Sequence, residues 1–179
     1  MIQDFFMAGF GGQGVLLAGN LLAYTAIEAG LNASFFPAYG VEKRGGAANC
    51  TVVLSDGDIG SPVIGHPSTV LLFNPLAAEK YYPQVKVGGF CLANSSLIKD
   101  LSIRSDIETV MIPATDMAIE AGDARLINMV MLGALLGRNQ IVSLDAVKSG
   151  LAGILPERNH RFLPMNNKAI DAGFAFTNR

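Results

Sequence analysis

Ile2-Gln3-Asp4-Phe5-Phe6-Met7-Ala8-Gly9-Phe10-Gly11-Gly12-Gln13-Gly14-Val15 is the stretch whose reading decides the fold. Seven residues of strand-forming bulk run into a glycine-rich turn, and Val15-Leu16-Leu17-Ala18-Gly19-Asn20-Leu21-Leu22-Ala23 continues as an apolar helix. Strand, glycine turn and helix in that order open an α/β unit. Gly9, Gly11 and Gly14 fit the G-x-G-x-x-G spacing of dinucleotide-binding turns. In such turns backbone N–H groups at the helix start face outwards, and a phosphate approaches without meeting a Cβ. The same residues also describe a tight βα turn that touches a partner protein. The spacing alone leaves both readings open.

Working outward, the first helix is expected from Gln13 to Ala29, ended by Gly30, and a second strand from Asn32 to Phe36. A nicotinamide-binding unit would carry a carboxylate near the end of that strand to hold the ribose hydroxyls. The chain reads Phe35-Phe36-Pro37 there, which counts against the alternative of an independent NAD(P)-binding oxidoreductase. In place of an acid the chain continues into Ala38-Tyr39-Gly40-Val41-Glu42-Lys43-Arg44-Gly45-Gly46, a charged loop bracketed by glycines. Gly45-Gly46 permits close approach of another molecule, and Arg44 offers a planar fork for a carboxylate or phosphate that Glu42 could orient.

Further along, strands are expected at Ala47–Ser55, Thr69–Phe73, Phe90–Asn94 and Glu108–Ile112, with Ile59–His66 as an edge or loop. His66 has no second ligand or nucleophile near it in sequence and reads as a surface residue. Asn74-Pro75 cap and open a helix through Tyr82, Thr115 caps one that Gly122 stops, and Asp123 starts another over Ala124–Leu136. That last helix is apolar around nearly its whole circumference and must be buried, centrally or between subunits. Ser143 caps a short helix ending near Gly150–Gly153, Pro156–Pro164 reads as an exposed connection, and Asn166–Ala172 as the final helix. The fold class expected is α/β: a three-layer sandwich on a mainly parallel, mixed central sheet with a Rossmann-like first βα turn.

The 179 residues suit one domain, spanning 1–179, and half of them are hydrophobic while 16% are charged. With a mean hydropathy of +0.37, part of the apolar surface is expected to face other subunits. A net charge of -2 and no basic stripe argue against a nucleic-acid partner. Cys50 and Cys91, distant and without C-x-x-C, cannot by themselves hold an iron–sulfur cluster or zinc, and suit a reducing compartment. No basic leader precedes Asp4 and no apolar run is long enough for a bilayer, so a cytoplasmic protein without a membrane partner is expected. No Ser-His-Asp or Cys-His set, metal pair or P-loop lysine is signalled, so the chain is expected to bind rather than transform.

Gly9-Phe10-Gly11-Gly12-Gln13-Gly14-Val15 with Ala18-Gly19, then Tyr39-Gly40-Val41-Glu42-Lys43-Arg44-Gly45-Gly46, resembles the gamma subunit of 2-oxoacid:ferredoxin oxidoreductases. Ser55-Asp56, Ile59-Gly60-Ser61-Pro62, Asn94-Ser95-Ser96, Ile112-Pro113-Ala114-Thr115 and Asn128-Met129-Val130-Met131-Leu132-Gly133 extend the likeness from about Ile2 to Gly173. The resemblance implies a subunit, non-catalytic alone, of an enzyme that decarboxylates a 2-oxoacid oxidatively to an acyl-CoA. Ferredoxin would receive the electrons. Thiamine diphosphate, magnesium and 4Fe-4S clusters would lie on partner alpha, beta and delta subunits, and the gamma chain would contribute to assembly and coenzyme A binding. Carried over by position, Gly11, Gly12, Gln13 and Gly14 form the turn at that site, and Tyr39, Glu42, Arg44 and Gly45 the facing loop.

Overall fold

Strand β3 (Ala47–Ser55) is buried along almost its whole length, so it must sit inside the sheet, whereas β2 (Asn32–Tyr39) is half-exposed and contains Pro37. A computed structural model, which describes residues 1–39 and 46–178, shows how the chain satisfies both. Six strands line up in the order β2-β3-β1-β4-β5-β6, with β1 at Ile2–Phe10, β4 at Thr69–Leu72, β5 at Phe90–Asn94 and β6 at Glu108–Ile112. β3 pairs antiparallel with both β1 and β2, and β1, β4, β5 and β6 run parallel. The sheet is therefore mixed, with β3 alone reversed among the described strands.

The hairpin strand is thus inserted between β1 and β2, and the first crossover spans two sheet positions. β2 extends past the expected end at Phe36 to Tyr39. It tolerates Pro37 because β2 is an edge strand, where a missing N–H costs no ladder bond. The expected strand or loop at Ile59–His66 is loop, with His66 exposed.

Helices cover both faces. On one, α1 (Val15–Glu28) packs against β1, β2 and β3. Beside it lie α3 (Ala114–Ala121), α4 (Ile127–Arg138), α5 (Leu144–Ile154) and α6 (Leu163–Thr177), around Phe5, Met7, Leu54, Leu71, Phe73 and Leu92. On the other, α2 (Pro75–Tyr81) and a short 3₁₀ turn at Tyr82–Gln84 close over Ala8, Val70, Leu72, Cys91 and Ala93. Arg104 straps the loop before β6 onto that turn, donating to the carbonyls of Tyr82, Pro83 and Val85 and pairing with Asp106.

Three local expectations change. The third helix begins at Ala114, because Asn94 rather than a Thr115 side chain meets its first turn: Asn94 Oδ1 accepts the Thr115 N–H at 3.3 Å. Asp123 caps a 3₁₀ turn at Ala124–Leu126 ahead of α4. The segment 156–164 is no simple connection: Glu157–Phe162 is 3₁₀, and Pro164 sits in the first turn of α6, where a proline loses nothing, so that helix runs on to Thr177.

α4 is buried on every side from Ile127 to Leu136, and α6 crosses it at backbone distance. A Cβ at Gly133 would lie 2.0 Å from the Ile170 carbonyl oxygen, and one at Gly173 would lie 2.0 Å from that of Val130. Backbone cannot yield as a side-chain tip can, so Gly133→Ala should destabilise the fold by about 3 kcal/mol through overpacking, measured by urea unfolding. Cys50 and Cys91 are both fully buried, in the cores on opposite faces, and burial pushes each thiol up to about 12. Neither should react with a thiol reagent at neutral pH until the chain unfolds, as a time course with and without denaturant will show.

Candidate functional site at the carboxyl ends of β1 and β4

β1 and β4 are parallel neighbours whose onward chains leave in opposite directions, one towards β2 and the other towards β5. Right-handed crossovers in opposite directions put α1 and α2 on opposite faces, and a crevice opens at the strand ends where they part. The turn Gly9–Gly14 lies there.

Its shape is held from within. Gln13 N–H donates to the Phe10 carbonyl at 3.1 Å, and Gln13 Oε1 accepts the Phe10 N–H at 2.7 Å. Asn74, at the end of β4, donates its Nδ2 to the same Oε1 at 3.0 Å. Gly9 must lack a side chain because its Cβ would come within 2.6 Å of that oxygen. Gly12 and Gly14 take left-handed φ of 99° and 73°, and the Asn128 amide fills the space beside Gly14, donating to its carbonyl at 3.2 Å. The left-handed Gly14 also delays α1 to Val15, two residues after the expected start.

No side chain caps α1 and no acidic residue lies in its first turn. Among the described residues, the N–H groups of Gly12, Gly14, Val15, Leu16 and Leu17 have no acceptor. Gly11 and Gly12 are exposed. Five free donors with the positive end of a 14-residue helix behind them suit a phosphate or carboxylate.

The two glycine motifs meet. Gly9, Ala48 and Tyr39 stand in one row across β1, β3 and β2, and the Gly11 N–H donates to the Gly46 carbonyl at 2.8 Å. Tyr39 is 73% exposed at this same end of the sheet. Glu42, Arg44 and Gly45 lie outside the described residues, within the segment that Tyr39 and Gly46 bracket.

Two clefts flank the turn. On the α2 face, about 310 Å³ is lined by Gly9, Phe10, Asn49, Asn74, Lys80 and Tyr81, among others. Asn49 Nδ2 donates to the Tyr81 hydroxyl at 3.3 Å, and the Tyr81 ring packs on Phe6. On the α1 face, about 350 Å³ is bounded by Gly14, Leu17, Arg125, Asn128 and Phe162. The Arg125 guanidinium beside Asp123 holds that carboxyl at about 2, so the pair stays ionised at neutral pH and loosens only as pH falls towards that value. Asn74, Lys80 and Asn128 were not singled out as site residues by sequence. Asn74 carried only a cap signal, and nothing local marks its contact with a residue 61 positions away.

Residues 4–176 match the family model described as pyruvate ferredoxin/flavodoxin oxidoreductase. The chain belongs to this family. Among its relatives, 2-oxoglutarate synthase subunit KorC of Methanothermobacter marburgensis is 34% identical over 163 residues, covering 87% of this chain and 88% of that one. Ketoisovalerate oxidoreductase subunit VorA of the same organism is 33% identical over 172 residues, 93% of this chain but 35% of the relative. The chain thus spans about a third of the length of that relative. The keto/oxoacid ferredoxin oxidoreductase gamma subunit from Geobacter sulfurreducens superposes with a TM-score of 0.84 at 30% identity, covering 98% of each chain. The 2-oxoglutarate:ferredoxin oxidoreductase from Magnetococcus marinus, solved with 2-oxoglutarate, coenzyme A and succinyl-CoA bound, gives 0.90 at 25% identity over 98% of this chain and 31% of that one.

Within this family fold, Gly14→Ala should cost about 2 kcal/mol or more, since it needs both a left-handed alanine and displacement of Asn128. Gly12→Ala, with open space around its Cβ, carries the backbone strain alone and should cost less. Parallel denaturation curves of the two variants will give the order.

Proposed function

We propose that this chain is a single gamma-type domain, residues 1–179, of a 2-oxoacid:ferredoxin oxidoreductase. The enzyme would convert a 2-oxoacid to its acyl-CoA and pass the electrons to ferredoxin. In this reading the chain supplies assembly contacts and part of the coenzyme A site. Alpha, beta and delta partners carry thiamine diphosphate, magnesium and the 4Fe-4S clusters. The observation that supports it best is the set of free N–H donors at Gly12, Gly14, Val15, Leu16 and Leu17 where β1 and β4 part, with no group of metal ligands among the described residues. Such a surface fits a phosphorylated ligand and offers it no chemistry. The buried, protonated thiols of Cys50 and Cys91 are likewise unsuited to ligating a cluster.

Gly11, Gly12, Gln13 and Gly14 form the ligand's turn in this reading, and Tyr39, Glu42, Arg44 and Gly45 the loop across from it. Membership in the family and the coenzyme A in the Magnetococcus marinus enzyme support the assignment. An independent NAD(P) site fits less well. No acid comes after Phe36 at the strand end to hold the ribose hydroxyls. Among the described residues no helix is long and apolar enough to cross a membrane.

The purified chain should turn over no 2-oxoacid alone and should do so once its partner chains are added; full activity of the lone chain contradicts the proposal. In the assembled enzyme, Arg44→Ala should weaken coenzyme A binding roughly tenfold or more by calorimetry, the scale of a lost charge-assisted hydrogen bond. Unchanged affinity and assembly would remove Arg44 from the site. NAD and NADP should leave the melting temperature where it is.

A further inference from the structure

We infer that Asn74 is a positioning residue of this site: it fixes Gln13, and through Gln13 the glycine turn, in addition to capping α2. As a cap it needs only an acceptor, and its Oδ1 takes the Ala77 N–H at 2.9 Å. Aspartate, serine or threonine would serve there as well. What asparagine adds is an amide donor, which it gives to Gln13 Oε1.

The orientation of both amides is forced. Ala77 N–H at one end and Phe10 N–H at the other can only donate, so Asn74 must present oxygen to the first and Gln13 oxygen to the second. The bond between the two side chains then has a single direction, Asn74 to Gln13. Asn74 is 1% exposed, so water does not compete for it. The absent Cβ of Gly9 leaves the room in which the Gln13 amide lies.

This bond ties the exit of β1 to the exit of β4 across the crevice. It holds Phe10 and Gln13 in place, so the free N–H groups at the start of α1 are already arranged when an anion arrives. Gln13 is then a part of the scaffold whose carbonyl is committed within the protein, and the ligand's contacts are the backbone donors beside it. The link to ligand binding rests on the coenzyme A reading of the crevice; the hydrogen-bond relay itself does not.

Asn74→Asp keeps the cap and destroys the relay. A carboxylate cannot donate to Gln13. If the glutamine amide turns to donate instead, Phe10 N–H loses its acceptor. Gln13→Glu is the conservative partner, since its carboxylate still accepts from both Phe10 and Asn74. Amide exchange by NMR on the purified chain should show the Phe10 N–H exchanging roughly tenfold faster in Asn74→Asp, with the Ala77 N–H as protected as before. In Gln13→Glu the Phe10 N–H should keep its protection. In the assembled enzyme, Asn74→Asp should raise the KM for coenzyme A roughly tenfold while kcat holds, and the melting temperature should fall because a carboxylate replaces a bonded amide at a buried position.

Unchanged Phe10 protection in Asn74→Asp, or equal loss in Gln13→Glu, overturns the relay. An altered Phe10 exchange with an unaltered KM overturns its role in positioning the site. Failure of the wild-type complex to bind coenzyme A would instead remove the ligand reading and the positioning role with it, leaving exchange to decide the relay.

Discussion

One oxygen atom, Gln13 Oε1, receives hydrogens from two parts of the chain that sequence keeps far apart, the end of β1 and the end of β4. Every feature of the crevice is arranged to allow it. Gly9 gives up its side chain to make room, Asn74 turns its amide, and the left-handed glycines let the chain double back before α1 begins. Buried amides left half-satisfied cost more than they return, and here each has a partner whose role cannot be reversed.

The same device recurs along the carboxyl edge of the sheet. Asn94, at the end of β5, donates to the Phe73 carbonyl and the Thr115 hydroxyl and accepts from the N–H groups of Ser96 and Thr115. Asn128, in the first turn of α4, holds Gly14. Three buried asparagines thus pin the loops that leave β1, β4 and β5, at the edge where α/β sheets place their ligands. The opposite edge is tied by Asp4, which accepts from the Ser68 N–H and hydroxyl, and by surface pairs such as Arg138 with Glu108. Exposed pairs of that kind stabilise little.

The sequence carried the local grammar of this fold well. Strand, glycine turn and helix, the Asn74-Pro75 cap, the Ser143 cap and the all-round apolar helix each emerge from spacing within a dozen residues. Less legible was what depends on distant partners. β3 lies between β1 and β2 because its burial on both faces demands two neighbours, while Pro37 consigns β2 to the edge. The residues state both facts, but no motif spells out their joint result. The tight α4–α6 crossing rests on Gly133 meeting Ile170 and Gly173 meeting Val130, contacts that helical spacing cannot reveal. At the site, the glycines were visible and their division of labour was not. Gly9 and Gly14 make room for the protein's own amides, and Gly11 and Gly12 remain open to solvent.

The seclusion of both sulfurs has a practical use. With Cys50 and Cys91 sealed on opposite faces, Tyr39→Cys would create one addressable thiol at the rim of the crevice, on a side chain that already points into water. A fluorophore or spin label attached there would report the approach of a second molecule to that rim without competing signals from the interior.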